Sequence, residues 1–243
     1  WWEGHRFDHP VRVWAAGESN DTTRDIIQKE LFGVPQDPTK LGHGAVPKEQ
    51  IVSTVRKPGV PNAFSSALVK HKSGGNSNIS FKAYEQGFEK FMGEAVDVVW
   101  LDEEPKQEIF SQCITRTADT GGIVYMTFTP EKGMTQGVSS FLNELKPGQS
   151  LITATWDDVD HLDPATKEQL LSVYSPAERD MRSKGIPVFG SGLVFPVSEE
   201  DITCEDFEIP KHYLVLAGID FGYDHPTALS WVALDPDNDI IYV

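Results

Sequence analysis

Two carboxylates stand side by side at the end of an apolar run, Val98-Val99-Trp100-Leu101-Asp102-Glu103. Four apolar residues in a row, bounded by charge, predict a strand buried on both faces, as in parallel α/β sheets. Ligands of such sheets bind outside the carboxyl ends of the strands, where Asp102 and Glu103 would lie. There, one carboxylate can hold Mg²⁺ against phosphates while the other orients or deprotonates a water. The alternative is structural, because acidic residues also favour the start of the helix that we predict over 105–117.

The elements around this strand predict the rest of the architecture. The run Val11–Ala16 reads as a strand, and a polar turn with several candidate N-caps leads into helical spacing over 22–31. Repeated strand–helix alternation is typical of a parallel sheet with helices on both faces. We therefore predict an α/β fold in which strand 98–102 is central, between strands 11–16 and 123–128. The other elements predicted before residue 185 are strands 63–71, 78–84, 122–130 and 151–156, a helix over 134–145 and an acidic helical region over 157–184.

An apolar strand that ends in Asp-Glu is the Walker B pattern of nucleoside triphosphatases. Many such enzymes also carry a phosphate-binding loop of the form G-x-x-x-x-G-K-[ST], and that pattern does not occur in the 243 residues. The Gly-rich segment 72–77 could be taken for a phosphate-binding loop. It joins two predicted strands, however, and a hairpin turn is the better interpretation.

A break in composition precedes the last part of the chain. Residues 198–210 are acidic and have the character of a linker. A new β pattern begins at Tyr213 and continues over 228–234 and 240–243, with a turn at 235–238. The sequence therefore predicts that a second domain opens at about residue 212.

One acid in this second region has no obvious structural use. Asp220 lies between Ile219 and Phe221 in an apolar strand, where a carboxylate is costly unless it is paired or binds a metal. An Asp that begins a turn before Gly222 is the alternative interpretation.

Charge is unevenly distributed along the chain. The formal net charge is −16, yet residues 1–100 are neutral, with 12 acidic and 12 basic side chains. Residues 101–243 carry 25 acidic and 9 basic side chains and so account for the whole excess. Since proteins that bind nucleic acids usually present a basic face, composition alone argues against DNA as a ligand.

The remaining global features favour a reducing compartment. No run approaches the roughly 20 apolar residues of a membrane span, and the first residues do not form a signal peptide. Because the first residue is Trp rather than Met, we expect that residue 1 is not the natural start. Cys113 and Cys204 form no metal-ligand spacing, so we interpret both as ordinary thiols, with Cys113 buried on the helix after strand 98–102.

Taken in order, four stretches resemble the large terminase subunit of tailed bacteriophages. This family joins an ATPase motor to a ribonuclease-H-like nuclease in one polypeptide and packages viral DNA. The resemblance covers nearly the whole chain. The matching stretches are the Walker B strand Val98–Glu103, the coupling motif Thr127–Pro130, the lid from Trp156 to Pro196, and the first nuclease strand, Gly218–Tyr223.

The resemblance implies an α/β P-loop-type ATPase sheet with a helical lid, followed by the start of a ribonuclease-H-like domain. The implied boundaries are an ATPase core over 1–156, a lid over 157–197, a linker over 198–211 and a nuclease start over 212–243.

Functional roles also follow from the resemblance. Asp102 would hold Mg²⁺ of the Mg²⁺–ATP complex, and Glu103 would be the catalytic carboxylate. Thr127 and Thr129 would sense the γ-phosphate and transmit its loss to the lid. Asp220 would be the catalytic first ligand of a nuclease centre that uses two Mg²⁺ or Mn²⁺ ions.

The implied partners are double-stranded DNA, the portal protein and the small terminase subunit, with a homo-oligomeric ring on the procapsid, in the host cytoplasm and without a membrane. In this family the Walker A loop precedes the strand at Val11, so it would lie before Trp1, and further nuclease acids would lie after Val243. The 243 residues therefore resemble a fragment that is inactive by itself. The alternatives are a helicase-like ATPase and an inactive remnant that only binds other phage proteins.

Overall fold

The structure is a computed structural model that describes residues 7–131, 135–142, 145–159, 162–186, 203–222 and 227–243. The chain divides into two compact units, Trp1–Pro196 and Val197–Val243. Within the described ranges, no helix combines the length and the apolar character needed to cross a membrane.

The first unit is built on a six-stranded sheet. In chain order its strands are β1 (Arg12–Gly17), β2 (Ile51–Arg56), β3 (Phe64–Lys70), β4 (Asn76–Ala83), β5 (Val98–Asp102) and β6 (Ile123–Thr127). Their order across the sheet is β2-β3-β4-β1-β5-β6. Strands β4, β1, β5 and β6 are parallel to one another, whereas β2 and β3 are joined antiparallel. The mainly parallel α/β sheet, with β5 between β1 and β6, confirms the predicted arrangement.

Both faces of this sheet are covered. Trp14 and Ala16 of β1 pack in one buried cluster with Leu101 of β5, while Ala15, between them in sequence, belongs to a second cluster with Phe81. Successive side chains of a strand point to opposite faces, so the two clusters lie on opposite sides of the sheet. This explains why β5 is apolar at nearly every position, because side chains pack against both of its faces.

Helices flank the strands that carry the predicted site. The α-helical turns α1 (Asn20–Thr22) and α2 (Lys29–Phe32) enclose a π-helical stretch, Thr23–Gln28. Helix α3 (Gln107–Ala118) follows β5 and buries Ile109, Cys113 and Thr117, which are spaced by one turn. Cys113 is buried, as predicted. The remaining helices are α4 (Gln136–Leu142), α5 (Pro164–Val173) and α6 (Pro176–Lys184).

The described part of α4, Gln136–Leu142, lies within the predicted 134–145, of which residues 134, 143 and 144 lie outside the described ranges. The predicted acidic helical region is two helices. Asp163 and Ser175 accept hydrogen bonds from the backbone N–H groups of Thr166 and Glu178, and a proline starts each helix. This is the N-cap arrangement that the Asp-Pro and Ser-Pro pairs favour.

Two expectations about strands were wrong or incomplete. The segment 151–156 is not a strand; it is irregular up to a 3-10 turn at Trp156–Asp158, and Ile152 is 76% exposed. Strand β2 was not predicted, although it pairs with β3 at the edge of the sheet. The predicted hairpin of β3 and β4 is confirmed.

The second unit contains a three-stranded antiparallel sheet of β7 (Leu214–Asp220), β8 (Ala228–Asp235) and β9 (Ile240–Tyr242), in that order. These strands agree with the β pattern predicted from the sequence. Every residue of β7 is exposed. The large apolar side chains left exposed on the sheet include Leu214, Leu216, Ile219, Leu229, Trp231 and Ile241. Of the predicted lid and linker, residues 160, 161 and 187–202 lie outside the described ranges.

Candidate active site

A cleft of about 440 Å³ lies at the carboxyl ends of the parallel strands. Parallel strands present these ends at one edge of the sheet, so residues that follow β1, β5 and β6 come together there. The predicted residues Asp102, Glu103 and Thr129 all line the cleft. Among the described residues, those that line it are Glu18, Thr22, Ile26, Asp102, Glu103, Glu104, Thr129 and Glu131.

Asp102 is the last residue of β5 and is directly opposite Thr127 of β6. The Thr127 hydroxyl donates a hydrogen bond of 2.8 Å to Asp102 Oδ1. Burial raises the pKa of Asp102, the bond from Thr127 opposes that rise, and the nearby charge of Glu18 adds to it. Thr127 is not among the residues that line the cleft. Its hydroxyl contacts the cleft residue Asp102 instead.

Glu103 has an unusual backbone conformation. Its φ is 63°, in the left-handed region that residues other than glycine rarely adopt. Such a conformation costs of order 1–3 kcal/mol and persists only where the surroundings impose it. Here the backbone N–H of Glu103 donates to the carbonyl of Thr127 at 2.8 Å, which ties the turn to β6.

Tyr84 ties the same turn from the other side. Its hydroxyl lies 2.9 Å from the carbonyl oxygen of Asp102, 3.0 Å from that of Glu103 and 3.2 Å from that of Ala16. The single phenolic proton is thus shared among three backbone acceptors. Burial is the main reason that the pKa of Tyr84 lies above its ordinary value, so this hydroxyl stays a donor at neutral pH.

Several cleft residues were not predicted. Glu18 follows β1 just as Asp102 ends β5, and this shared position was the signal that could have identified it. Glu104 accepts a hydrogen bond from the Thr135 hydroxyl at the start of α4. Glu131 forms an ion pair with Arg182 of α6, which links this helix to the rim of the cleft.

The donor set of the cleft suits a hard divalent cation. Five of its lining residues are acidic, and none of those that the structure describes there is Lys, Arg or His. Carboxylate and hydroxyl oxygens are the ligands that Mg²⁺ prefers, and Mg²⁺ is often held by only one or two carboxylates plus substrate phosphates. Accordingly, no group of three or more His, Cys, Asp or Glu residues in the described ranges is arranged to hold a metal alone.

The predicted residue Asp220 belongs to the second unit. It ends β7, pairs with Ala228 of β8 and is exposed. The carboxylate therefore faces away from any core, as expected for a ligand or for a turn residue. The neighbouring positions 223–226 lie outside the described ranges.

A different acid of this unit is engaged in a turn. Asp235 accepts hydrogen bonds from the Tyr213 hydroxyl at 2.6 Å and from the Asn238 amide side chain at 2.8 Å. The bond from Tyr213 is the largest cause that lowers the pKa of Asp235 to about 2. Asp235 is therefore a structural acid of the β8–β9 hairpin.

Comparison with known proteins identifies relatives along nearly the whole chain. Residues 6–202 match the family model of the terminase large subunit, T4likevirus-type, N-terminal. The chain is 38% identical over 247 residues to the terminase large subunit of Salmonella phage P22, covering 100% of this chain and 50% of the relative. It is 31% identical over 231 residues to the terminase large subunit of Enterobacteria phage LP7, with coverages of 93% and 48%. The chain thus spans about half the length of the curated relatives it matches.

Solved structures share the fold. A crystal form of the large terminase from a thermophilic bacteriophage matches with a TM-score of 0.59 and 15% identity, covering 97% of this chain and 55% of that one. A structure of the same terminase in complex with ADP matches with a TM-score of 0.55 and 15% identity, at coverages of 97% and 55%.

Proposed function

Because the chain belongs to the large subunits of phage terminases, we propose that it is part of a viral DNA-packaging motor. The whole protein would hydrolyse ATP to drive DNA into the procapsid and would cut concatemeric DNA with a metal-dependent endonuclease. The observation that carries the first activity is the cleft in which Asp102, Glu103 and Thr129 meet at the ends of β5 and β6. The ADP bound to the terminase of the thermophilic bacteriophage supports a nucleotide as the ligand.

We assign the following roles within the cleft. Asp102, fixed by Thr127, is the carboxylate that holds Mg²⁺ of the Mg²⁺–ATP complex. When bound, Mg²⁺ neutralises charge that develops on the phosphates. Glu103 orients the attacking water and takes its proton, and the ties from Thr127 and Tyr84 keep its backbone in the required turn. Thr129 offers a hydroxyl to the γ-phosphate.

Parts of the phosphate-binding apparatus would come from outside these residues. The 243 residues contain no G-x-x-x-x-G-K-[ST] pattern, and the backbone nest and lysine of that motif are the main ligands of the β- and γ-phosphates. The chain covers about half of its curated relatives, and we therefore propose that these phosphate ligands come from a part of the full-length protein outside the 243 residues, which alone do not turn over ATP. The domain layout we propose is an ATPase core over 1–156, a lid over 157–197, a linker over 198–211 and the nuclease from 212 onwards.

The second unit supports the proposed nuclease. Asp220 is an exposed acid at the end of an apolar strand, and phosphodiester cleavage by two metal ions needs several such carboxylates. We propose that Asp220 is one ligand of a Mg²⁺ or Mn²⁺ pair and that further ligands come from parts of the full-length protein outside the 243 residues. The partners of the whole motor would be double-stranded DNA, the portal protein, the small terminase subunit and other copies of the chain in a ring on the procapsid, in the host cytoplasm.

The motor site is tested by changing Glu103 in the full-length protein. Glu103→Gln keeps the shape of the side chain but removes its charge and its basicity. We expect DNA-stimulated phosphate release to fall by at least about 100-fold, with little change in the binding of Mg²⁺–ATP measured by titration with a fluorescent nucleotide. Glu108→Gln, an identical change at an exposed position of α3, is the control and should leave both measurements as in wild type.

Equal phosphate release by wild type and Glu103→Gln would remove Glu103 from catalysis. Absence of Mg²⁺-dependent nucleotide binding in wild type would favour the inactive remnant instead.

A further inference from the structure

A tryptophan of β5 completes a hydrogen-bonded chain that ends at the predicted metal carboxylate. The indole Nε1–H of Trp100 donates to Thr127 Oγ1 at 2.9 Å. The Thr127 hydroxyl in turn donates to Asp102 Oδ1 at 2.8 Å. Three side chains on two neighbouring strands are thus connected in one direction.

Donor and acceptor chemistry fixes that direction. An indole nitrogen is only a donor, and a hydroxyl has one proton and two lone pairs. Because the Trp100 N–H occupies a lone pair of Thr127 Oγ1, the Thr127 proton is available to a different acceptor. Ionised Asp102 is only an acceptor. The one consistent arrangement is therefore that Trp100 donates to Thr127 and Thr127 donates to Asp102.

The strand register explains why these groups meet. Trp100 is opposite Tyr125 and Asp102 is opposite Thr127 in the parallel β5–β6 pair. Residues two apart on a strand share a face, so all four side chains lie together on one side of the sheet. The rings of Trp100 and Tyr125 are stacked, with centroids 5.9 Å apart and planes 17° apart. This stack holds the indole in the orientation that aims its N–H at Thr127.

We propose that Trp100 is a positioning residue of the motor site: it directs the Thr127 hydroxyl at Asp102 and so presents that carboxylate to the divalent cation in one orientation. A corollary is a division of labour between the two threonines. Thr127 serves the metal carboxylate, while Thr129, which lines the cleft, is the hydroxyl available to the γ-phosphate. The cation part of this inference rests on the proposed function; the hydrogen-bonded chain does not.

The simpler alternative is that Trp100 only fills space and that its N–H happens to find a partner, as indole groups usually do when buried. The two explanations differ in one respect. If Trp100 acts through Thr127, removing the indole N–H has no further effect once the Thr127 hydroxyl is gone; if it acts by packing, the two effects add.

The chain of hydrogen bonds is tested first, by NMR of the full-length protein labelled with ¹⁵N at the tryptophan indoles. Thr127→Val keeps the β-branched shape and removes the acceptor, so the Trp100 indole proton should move upfield and exchange faster with water. Thr129→Val, the same change two residues along, should leave that resonance in place. An unchanged Trp100 resonance in Thr127→Val would overturn the inference.

The positioning role is tested by Mn²⁺ binding, measured by electron paramagnetic resonance in the presence of ADP. Trp100→Phe keeps an aromatic ring over Tyr125 and loses the N–H. We expect it to weaken Mn²⁺ binding roughly 3- to 10-fold, the range for loss of one hydrogen bond. Thr127→Val should weaken binding at least as much, Thr127→Ser should retain it, and the double variant should match Thr127→Val alone.

Additive losses in the double variant, or full Mn²⁺ affinity in Trp100→Phe, would overturn the positioning role. If wild type bound no Mn²⁺ with ADP, the proposed function would fail and the positioning role with it, whereas the indole resonance would still report the hydrogen-bonded chain. The two failures are therefore distinguishable.

Discussion

Strands β5 and β7 have the same sequence pattern and very different surroundings. Each is a run of apolar residues that ends in aspartate, at Asp102 and Asp220 respectively. In β5, Leu101 is 0% exposed, because strands pair with it on both sides and side chains cover both faces. In β7 every residue is exposed, and Leu216 is 58% exposed.

The comparison shows that the surroundings of an acid at a strand end, and not only its place in the sequence, decide whether it can form a binding site. Asp102 has a fixed hydrogen-bond donor, a cleft beside it and a buried strand beneath it. Asp220 has the same place in its strand, yet its sheet leaves large apolar side chains in solvent. Exposed apolar patches of this kind mark surfaces that another element or another chain covers. We infer that further residues of the full-length protein cover this sheet, as the proposed nuclease site at Asp220 requires.

The largest expected effect concerns Asp220. In the full-length protein, Asp220→Ala should reduce plasmid cleavage in Mn²⁺ to background, because a two-metal centre loses a ligand. ATP hydrolysis should stay as in wild type, since Asp102 and Asp220 belong to different units. Plasmid cleavage and phosphate release, measured side by side on one preparation, provide the test.

Asp239→Ala is the matched control, because this acid lies in the turn that precedes β9. It should cleave as wild type does. If Asp220→Ala still cleaved the plasmid, Asp220 would be a turn residue, and the functional comparison between Asp102 and Asp220 would be wrong.

The next prediction compares the stability cost of truncating a buried leucine of β5 with that of truncating an exposed leucine of β7. In the 243-residue chain, Leu101→Ala should lower the free energy of unfolding by about 2–5 kcal/mol, the usual cost of a cavity in a core. Leu216→Ala should change it by no more than about 0.5 kcal/mol, because the side chain is already in solvent. Urea unfolding followed by tryptophan fluorescence measures both.

The same two substitutions, Leu101→Ala and Leu216→Ala, can also be compared in the full-length protein. If further residues cover β7 there, the cost of Leu216→Ala should rise towards that of Leu101→Ala. A large cost of Leu216→Ala already in the 243-residue chain would contradict the exposed sheet.

The smallest expected effect depends on pH and concerns Asp235. Its pKa of about 2 lies below the ordinary 3.8, so the ionised acid stabilises the hairpin above pH 3.8 and this contribution disappears as pH falls through about 2. Tyr213→Phe removes the hydrogen bond that is the largest cause of the shift and should move the titration of Asp235 upwards, towards 3.8. The carboxyl ¹³C resonance of Asp235 measures the midpoint.

Tyr242→Phe provides the control, because Tyr242 stacks on Tyr213 but makes no hydrogen bond to Asp235 in the described structure. An equal midpoint in wild type and Tyr213→Phe would show that the turn, rather than Tyr213, sets the acidity.

The centre of the sheet could be predicted because β1 and β5 have buried residues at successive positions, which makes them apolar on both faces. Strand β6, half-buried at the edge of the sheet, is also an apolar run, and polar residues mark where β5 and β6 end. β2 was missed because it is an edge strand with mostly exposed residues, so its composition carries no alternation. Segment 151–156 has β-branched residues but no partner strand in the described part of the chain, and composition alone cannot supply one.

The site could be predicted in part for the same reason. Asp102, Glu103 and Thr129 were predicted because they end or follow apolar runs, and their meeting at one edge follows from parallel pairing. Glu131 could not be found, because its place depends on the path of the chain after β6 and on its ion pair with Arg182 of α6. The link from Trp100 to Thr127 depends on strand register, which no single strand reveals.

The left-handed backbone of Glu103 has a consequence for how this position can vary. Glycine adopts φ near 63° without steric cost, whereas glutamate does not. Glu103→Gly should therefore fold more stably than wild type while losing the carboxylate that we assign to the proton of the attacking water. A laboratory selection of the full-length protein for heat resistance alone would favour glycine here, and a selection for the proposed ATP turnover would restore the acid. At position 103, thermal stability thus favours glycine, whereas the proposed ATP turnover requires glutamate.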